Sequence, residues 1–178
     1  VNDEICHGFP GKKPLRNGDI VTVDMVVNLN GWLADSAWSY AVGNISEEAK
    51  KLMEVTEKSL YIGIEKAVAG NRIGDISYAI QSYVEAQGFS VVRDFVGHGI
   101  GKEMHEEPQV PHFGRPGRGP RITTGMVFTI EPMINVGTYH CTIDNNNWTA
   151  RTKDGKLSCQ YEHTIAITEN GVIIITKQ

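Results

Sequence analysis

From Ile20 to Val27 the chain reads Ile-Val-Thr-Val-Asp-Met-Val-Val, a β-branched run that predicts a strand. Asn30-Gly31 is a strong turn signal, so Trp32 to Val42 is expected to return as the second arm of a hairpin. A helical period follows. Ser46 can accept from the first free amides, and Glu47 and Glu48 suit the positive end of a helix dipole. Leu52, Thr56, Leu60, Gly63 and Ala67 then fall on one face, with Gly70 as the expected stop. A second helix is predicted over Ile76 to Gln87, with Ile76, Ala79, Ile80, Tyr83 and Val84 as its apolar stripe and Gly88 at its end. Both stripes are read as core.

Beyond Gly88 the pattern changes to short strands. Phe89 to Val92, Met126 to Val136, Leu157 to Thr168 and Val172 to Thr176 are predicted strands, the last pair joined around Glu169-Asn170-Gly171. Gly97 to Gln109 reads as glycine-punctuated loop, His112 to Pro120 as a surface loop, and Cys141 to Gly155 as polar and turn-rich. The order predicts an α+β fold with helices on one face of an antiparallel sheet.

The composition is that of a globular domain: 178 residues, 40% hydrophobic and 21% charged. A net charge of −4 gives no global attraction to DNA or to an anionic membrane. No apolar run approaches a membrane span, and Val1-Asn2-Asp3-Glu4 does not open a signal peptide. Cys6, Cys141 and Cys159 form an odd set without a CxxC pair, which suits a reducing cytoplasmic compartment. The sequons at Asn44 and Asn147 then read as chance matches.

Two segments echo one another. Gly18-Asp19-Ile20-Val21-Thr22-Val23-Asp24 and Gly125-Met126-Val127-Phe128-Thr129-Ile130-Glu131 share the order glycine, threonine, aliphatic, carboxylate. Each is followed by a second carboxylate among apolar neighbours, Asp35 and Glu162. The pattern suggests a duplicated strand pair with pseudo-two-fold symmetry and four carboxylates meeting near its axis.

A carboxylate within a strand as apolar as that around Asp24 is costly unless paired or bound to a cation; the alternative is an edge position facing water. A two-residue Asn30-Gly31 turn would make Asp24 and Asp35 diagonal neighbours on one face, whereas a three-residue turn would separate them. Clustered carboxylates repel, and divalent cations resolve the repulsion. Oxygen ligands alone suit calcium or magnesium, while one histidine shifts the preference toward manganese, iron, cobalt or zinc. His98, set in Gly97-His98-Gly99-Ile100-Gly101, is the favoured histidine, since its glycines permit unusual dihedrals and close approach. His112, His140 and His163 are expected to be ordinary structural or surface histidines. HExxH is absent because Gln109 stands where its second histidine would be, and Asp144-Asn145-Asn146-Asn147 lacks the remainder of an EF-hand loop.

Cys6-His7-Gly8, Asp24, Asp35, Gly97-His98-Gly99-Ile100-Gly101, His105-Glu106-Glu107-Pro108, Thr129-Ile130-Glu131-Pro132 and Gln160-Tyr161-Glu162-His163-Thr164 together resemble the bacterial type I methionine aminopeptidases. The resemblance covers essentially the whole chain. It implies the pita-bread α+β fold with duplicated halves in a single catalytic domain spanning residues 1–178. Its activity would be removal of the initiator methionine from nascent proteins and peptides, mainly before a small second residue. By this resemblance Asp24, Asp35, His98, Glu131 and Glu162 hold two divalent ions, with Asp35 and Glu162 bridging them. Glu131 would also transfer protons, His105 would stabilise the oxyanion, and His7 would contact the substrate near the scissile amide. Met104 and Trp148 would wall the methionine pocket, or else be ordinary core. The family usually has about seventy further residues ahead of the Cys-His-Gly strand, so the fold is expected to lack them here, with one face of the first hairpin bare.

Proline-specific aminopeptidases and prolidases share this fold and ligand set but usually carry a large extra N-terminal domain. Non-catalytic binding modules on the fold tend to lose ligands, and all five positions are present here. The family is usually monomeric. Arg115, Arg118 and Arg121 form a basic loop, for which simple solvation and transient contact with ribosomal RNA are the two readings.

Overall fold

A computed structural model describes residues 1–177. In chain order the elements are β1 (Glu4–Cys6), β2 (Ile20–Leu29), β3 (Trp32–Ala41), α1 (Glu47–Lys66), α2 (Ile73–Ala86), β4 (Ser90–Val91), β5 (Gly97–Gly99), β6 (Glu106–Val110), β7 (Val127–Ile130), β8 (Met133–Asn135), β9 (Cys141–Ile143), β10 (Ala150–Thr152), β11 (Ser158–Gln160), β12 (His163–Thr168) and β13 (Gly171–Ile174). The strands pair antiparallel in the orders β1-β10-β9, β11-β8-β4, β13-β12-β7-β5-β6 and β2-β3. The expected α+β class holds, with the single sheet replaced by several small ones.

The helices form where the periodicity puts them. Ser46 accepts from the Ala49 amide and starts α1, whose buried face is Leu52, Thr56, Leu60 and Gly63, as the spacing requires. Helix α1 stops at Lys66, short of Gly70, and the Asn71 side chain donates to the Lys66 carbonyl. Helix α2 begins at Ile73, three residues before the predicted start, because the Asp75 carboxylate accepts the Arg72 amide and caps it there. Ile76, Ile80 and Val84 are fully buried. Helix α1 packs on β7, β8 and β11, and α2 on α1 and β4. Their apolar stripes join Phe128, Ile130, Ile134 and Ile165 in one core beneath the strands, where each such side chain contributes roughly 1.5–3 kcal/mol by burial.

Two of the predicted strands are interrupted. Met126 to Val136 breaks after Ile130 into β7 and β8, at Glu131-Pro132, where proline brings no amide to the ladder. Leu157 to Thr168 breaks at Tyr161-Glu162, where the Glu162 amide turns away to donate to the Ala37 carbonyl of β3 at 2.8 Å. Both interruptions fall at a carboxylate of the echo. Gly97 to Gln109, expected as loop, contains β5 and most of β6. His112 is not on a surface loop: it is 1% exposed.

The β2–β3 hairpin turns in two residues, with Asn30 at φ 53° and Gly31 at φ 81°, the left-handed pair of a type I′ turn. One of its faces leaves Val23, Met25, Val27, Leu29, Trp32 and Tyr40 exposed. The other docks through β3. The Thr164 hydroxyl lies 2.9 Å from the Asp35 amide and 2.7 Å from the Asp35 carbonyl, and Ser39 donates to the Gln160 carbonyl. These bonds bring Asp35 to the gap between β11 and β12.

Candidate active site

Asp24 pairs with Ala37 and Val26 with Asp35, so the two aspartates are diagonal neighbours on the docked face of the hairpin. The Ile130↔His163 pair ends the β7–β12 ladder, so Glu131 and Glu162 face one another just beyond it. The first pair meets diagonally and the second directly. His98, in β5 beside β7, completes the group: ligand atoms of Asp35, His98 and Glu162 all lie within 4.8 Å of one another. His98 Nε2 is 3.6 Å from Glu131 Oε1 and 4.0 Å from Asp35 Oδ2. The five residues therefore converge.

His98 is aimed by its neighbours. A Cβ on Gly97 would meet the Thr129 carbonyl at 2.6 Å and one on Gly99 the Glu107 carbonyl at 2.2 Å, so both glycines serve close strand approach. Neither takes a left-handed φ, so the expected unusual dihedrals are not their role. The His98 amide donates to the Thr129 hydroxyl, and Nδ1 lies 3.0 Å from the Gly99 carbonyl, which can only accept. The ring proton therefore sits on Nδ1, and the Nε2 lone pair points at the carboxylates. Burial lowers the His98 pKa and keeps the ring neutral. A neutral imidazole with its far nitrogen anchored on a carbonyl is the usual state of a metal-binding histidine.

The carboxylates are strained electrostatically. Burial, followed by repulsion from Asp24, pushes Asp35 up to about 7. Glu131 is pushed up to about 8, first by burial and then by Asp35 and Asp24 against the lowering bond from Thr129. Glu162 stands well above the carboxylate range for the same reasons, led by burial, and Asp24 is raised by burial despite its contact with Asp35. Asp35 Oδ1 and Glu162 Oε1 are buried without a hydrogen-bond partner among the described residues. Unpaired oxygens, mutual repulsion and a neutral imidazole form a donor set that suits divalent cations.

The remaining predicted residues surround this group. The His105 ring is centred 4.3 Å from that of His98. His7 takes a left-handed φ of 59°, stacks on Trp148 at 4.8 Å and meets Phe95 edge-on. A cavity of about 500 Å³ opens between Cys6, His7, Phe9, Leu15, Asp24 and Gln160. Trp148 is 54% exposed and Met104 43%, so neither is ordinary core.

Three further residues support the site without a role assigned to them from the sequence. Thr129 donates to Glu131 Oε1 at 2.7 Å, and Gln160 Nε2 approaches Glu131 Oε2 at 3.3 Å. His112, expected to be unremarkable, receives the Glu131 amide on Nε2 at 3.0 Å. Thr129 and Gln160 stand inside quoted motifs, whereas nothing local marks His112. His163 and His140 stay clear of the carboxylates: His163 packs on Trp38 and Tyr61, and His140 on Tyr139.

Residues 1–169 match the profile of Metallopeptidase family M24. The chain belongs to that metallopeptidase family, and its fold is the pita-bread α+β arrangement. It is similar to the methionine aminopeptidase of Clostridium perfringens, 58% identical over 176 residues that cover 99% of this chain and 71% of the relative. The crystal structure of the methionine aminopeptidase from Rickettsia prowazekii superposes with a TM-score of 0.97 at 46% identity, covering 99% of this chain and 71% of that one. A prolidase from Pyrococcus furiosus shares the fold at a TM-score of 0.78 and 24% identity, covering 97% of this chain and 45% of that one.

Proposed function

We propose that this chain is a metal-dependent aminopeptidase that removes the N-terminal methionine from peptides and nascent chains, with a preference for a small second residue. The convergence of Asp35, His98 and Glu162, with Glu131 3.6 Å from His98, carries the reading. Relatives that bear the name methionine aminopeptidase support it at 46–58% identity across 99% of the chain. The proline-specific alternative has likeness only at the level of fold among the structures under 25% identity.

In this reading Asp24, Asp35, His98, Glu131 and Glu162 hold two divalent ions, drawn from manganese, iron, cobalt and zinc. Such ions supply Lewis acidity and a nucleophile near neutral pH. Glu131 takes the proton of the attacking water on a carboxylate oxygen and passes it to the leaving amine nitrogen. Thr129 and Gln160 hold that carboxylate in place. His105 donates to the scissile carbonyl oxygen as it gains negative charge, a donor of a kind worth about 3 kcal/mol. His7, braced on Trp148, contacts the substrate beside the scissile amide. Trp148 and Met104 supply apolar surface for a thioether.

The described residues include no helix long and apolar enough to cross a membrane. Its three free cysteines suit a reducing compartment, and a cytoplasmic monomer belongs to this reading. So does transient contact of the Arg115–Arg121 loop with ribosomal RNA. Arg115, Arg118 and Arg121 are all exposed, and Arg121 also donates to the Gly70 carbonyl.

The test is release of methionine from Met-Ala-Ser by the metal-loaded chain, with an Xaa-Pro peptide alongside. Met-Ala-Ser should be cleaved, chelator should stop cleavage, and Mn²⁺ or Co²⁺ should restore it. Glu131→Gln should abolish turnover with Tm little changed. Preference for Xaa-Pro, or undiminished turnover in chelator, would overturn the reading.

A further inference from the structure

We infer that His112 is a positioning residue for Glu131, holding its main-chain amide from outside the substrate cavity so that the carboxylate keeps its aim. The inference rests on the reading of Glu131 as the proton-transferring carboxylate.

Glu131 stands where its strand ends. Pro132 follows it, and β7 closes at Ile130, so the local ladder does not hold the Glu131 peptide. Its amide is instead taken by His112 Nε2 at 3.0 Å, from a residue nineteen positions earlier. The carboxylate is held separately, by Thr129 at Oε1 and Gln160 at Oε2. Glu131 is thus fixed at its peptide by one group and at its carboxylate by two others. His112 is not among the residues that line the cavity beside Asp24.

The chemistry of the ring matches this task. To accept an amide proton, Nε2 must be unprotonated, so a neutral ring carries its proton on Nδ1. His112 is 1% exposed, and the Glu131 amide, which can only donate, meets Nε2, so Nε2 is the accepting nitrogen. Nδ1 has no hydrogen-bond partner among the described residues. A polar ring kept for packing alone would leave that donor stranded for no return, since an apolar residue fills space without it. Among the described residues the one polar contact the ring makes is the one at Glu131. Losing it frees the peptide to rotate, and a shift of about 1 Å at a reacting group can cost about a hundredfold in rate.

The experiment compares His112→Phe, His112→Gln and Glu131→Gln in the metal-loaded full chain, measuring kcat and KM on Met-Ala-Ser together with Tm. Phenylalanine keeps the ring volume without an acceptor, while glutamine can place its carbonyl oxygen near the position of Nε2. H112F should lower kcat by about ten- to a hundredfold with KM within about threefold, and H112Q should recover most of the loss. If H112F does not fold, the contrast passes to H112Q against H112N, whose shorter amide reaches only the position of Nδ1. An H112F enzyme within about twofold of the parent kcat would overturn the inference, as would equal impairment of the acceptor-bearing and acceptor-free variants. Normal turnover by E131Q would instead remove the reading of Glu131 itself. An inactive E131Q beside a fully active H112F would sink His112 alone.

Discussion

Asp24 and Asp35 lie diagonally across the β2–β3 hairpin, and a turn of two residues, Asn30 and Gly31, is what puts them on one face. Side chains alternate between faces along a strand, so this relationship depends on the parity of the turn. Inserting one alanine between Asn30 and Gly31 should separate the two carboxylates. Metal content by elemental analysis should fall, and methionine release should drop at least about a hundredfold, with far-ultraviolet circular dichroism close to the parent. Near-parent turnover in the insertion variant would show that the shared face is not required.

The carboxylates also govern how the metal-free protein responds to pH. Asp35 is raised to about 7 and Glu131 to about 8, with burial as the leading cause for both. A carboxylate whose folded pKa is raised binds its proton more tightly in the folded state, so stability declines as pH rises toward that pKa. Buried neutral His98 and His112 act in the opposite sense, but only below about 6.5, where histidines of the unfolded chain take up protons. Between about pH 6.5 and 8 the carboxylate effect remains, and Tm in chelator should fall. Mn²⁺ should raise Tm more at pH 8 than at pH 6.5. Scanning calorimetry at both pH values decides, and a chelated Tm that climbs over this range contradicts the assigned cluster.

What was legible in the sequence was local or carried by motifs. The hairpin, its two-residue turn and the buried faces of α1 and α2 follow from alternation, Asn30-Gly31 and helical spacing, each signal lying within the element it specifies. The convergence of Asp24, Asp35, His98, Glu131 and Glu162 was legible through the family resemblance, since they span 139 positions of the chain. The breaks at Glu131 and Glu162 escaped because apolar runs continue through them. Pro132 was a visible warning of one, while the other depends on a bond from Glu162 to Ala37, far away in sequence. His112 was illegible for the same reason: its role exists only through the Glu131 amide.

The basic loop yields a prediction about partners. Arg115 and Arg118 project from an exposed segment of a chain whose net charge is −4, whereas Arg121 is engaged with Gly70. If Arg115 and Arg118 meet RNA phosphate, cosedimentation with ribosomes should weaken with salt and with Arg115→Ala/Arg118→Ala, while turnover of Met-Ala-Ser is unchanged. Adding Arg121→Ala should lower Tm through its lost bond to Gly70. Cosedimentation indifferent to salt and to Arg115 and Arg118 would leave solvation as their role.

His7 is held by a second set of contacts, and these can be tested without touching its ring. Its carbonyl accepts from the Thr149 hydroxyl at 3.0 Å, and Asn146 Nδ2 donates to that hydroxyl oxygen at 2.9 Å. Asn146 Oδ1 also takes the amides of Trp148 and Thr149, which sets the indole against the His7 ring. Thr149 is buried, and His7 sits at a left-handed φ that a non-glycine residue adopts only when its surroundings enforce it. Thr149→Val keeps the shape and removes the hydroxyl. One neutral hydrogen bond is worth about 1 kcal/mol, so kcat/KM should fall by roughly fivefold, with Tm lowered by only a few degrees. Trp148→Ala should weaken methionine binding as well, raising KM more than it lowers kcat. Should T149V match the parent in kcat/KM, the loop that bears Trp148 would not be what holds His7 for the reaction.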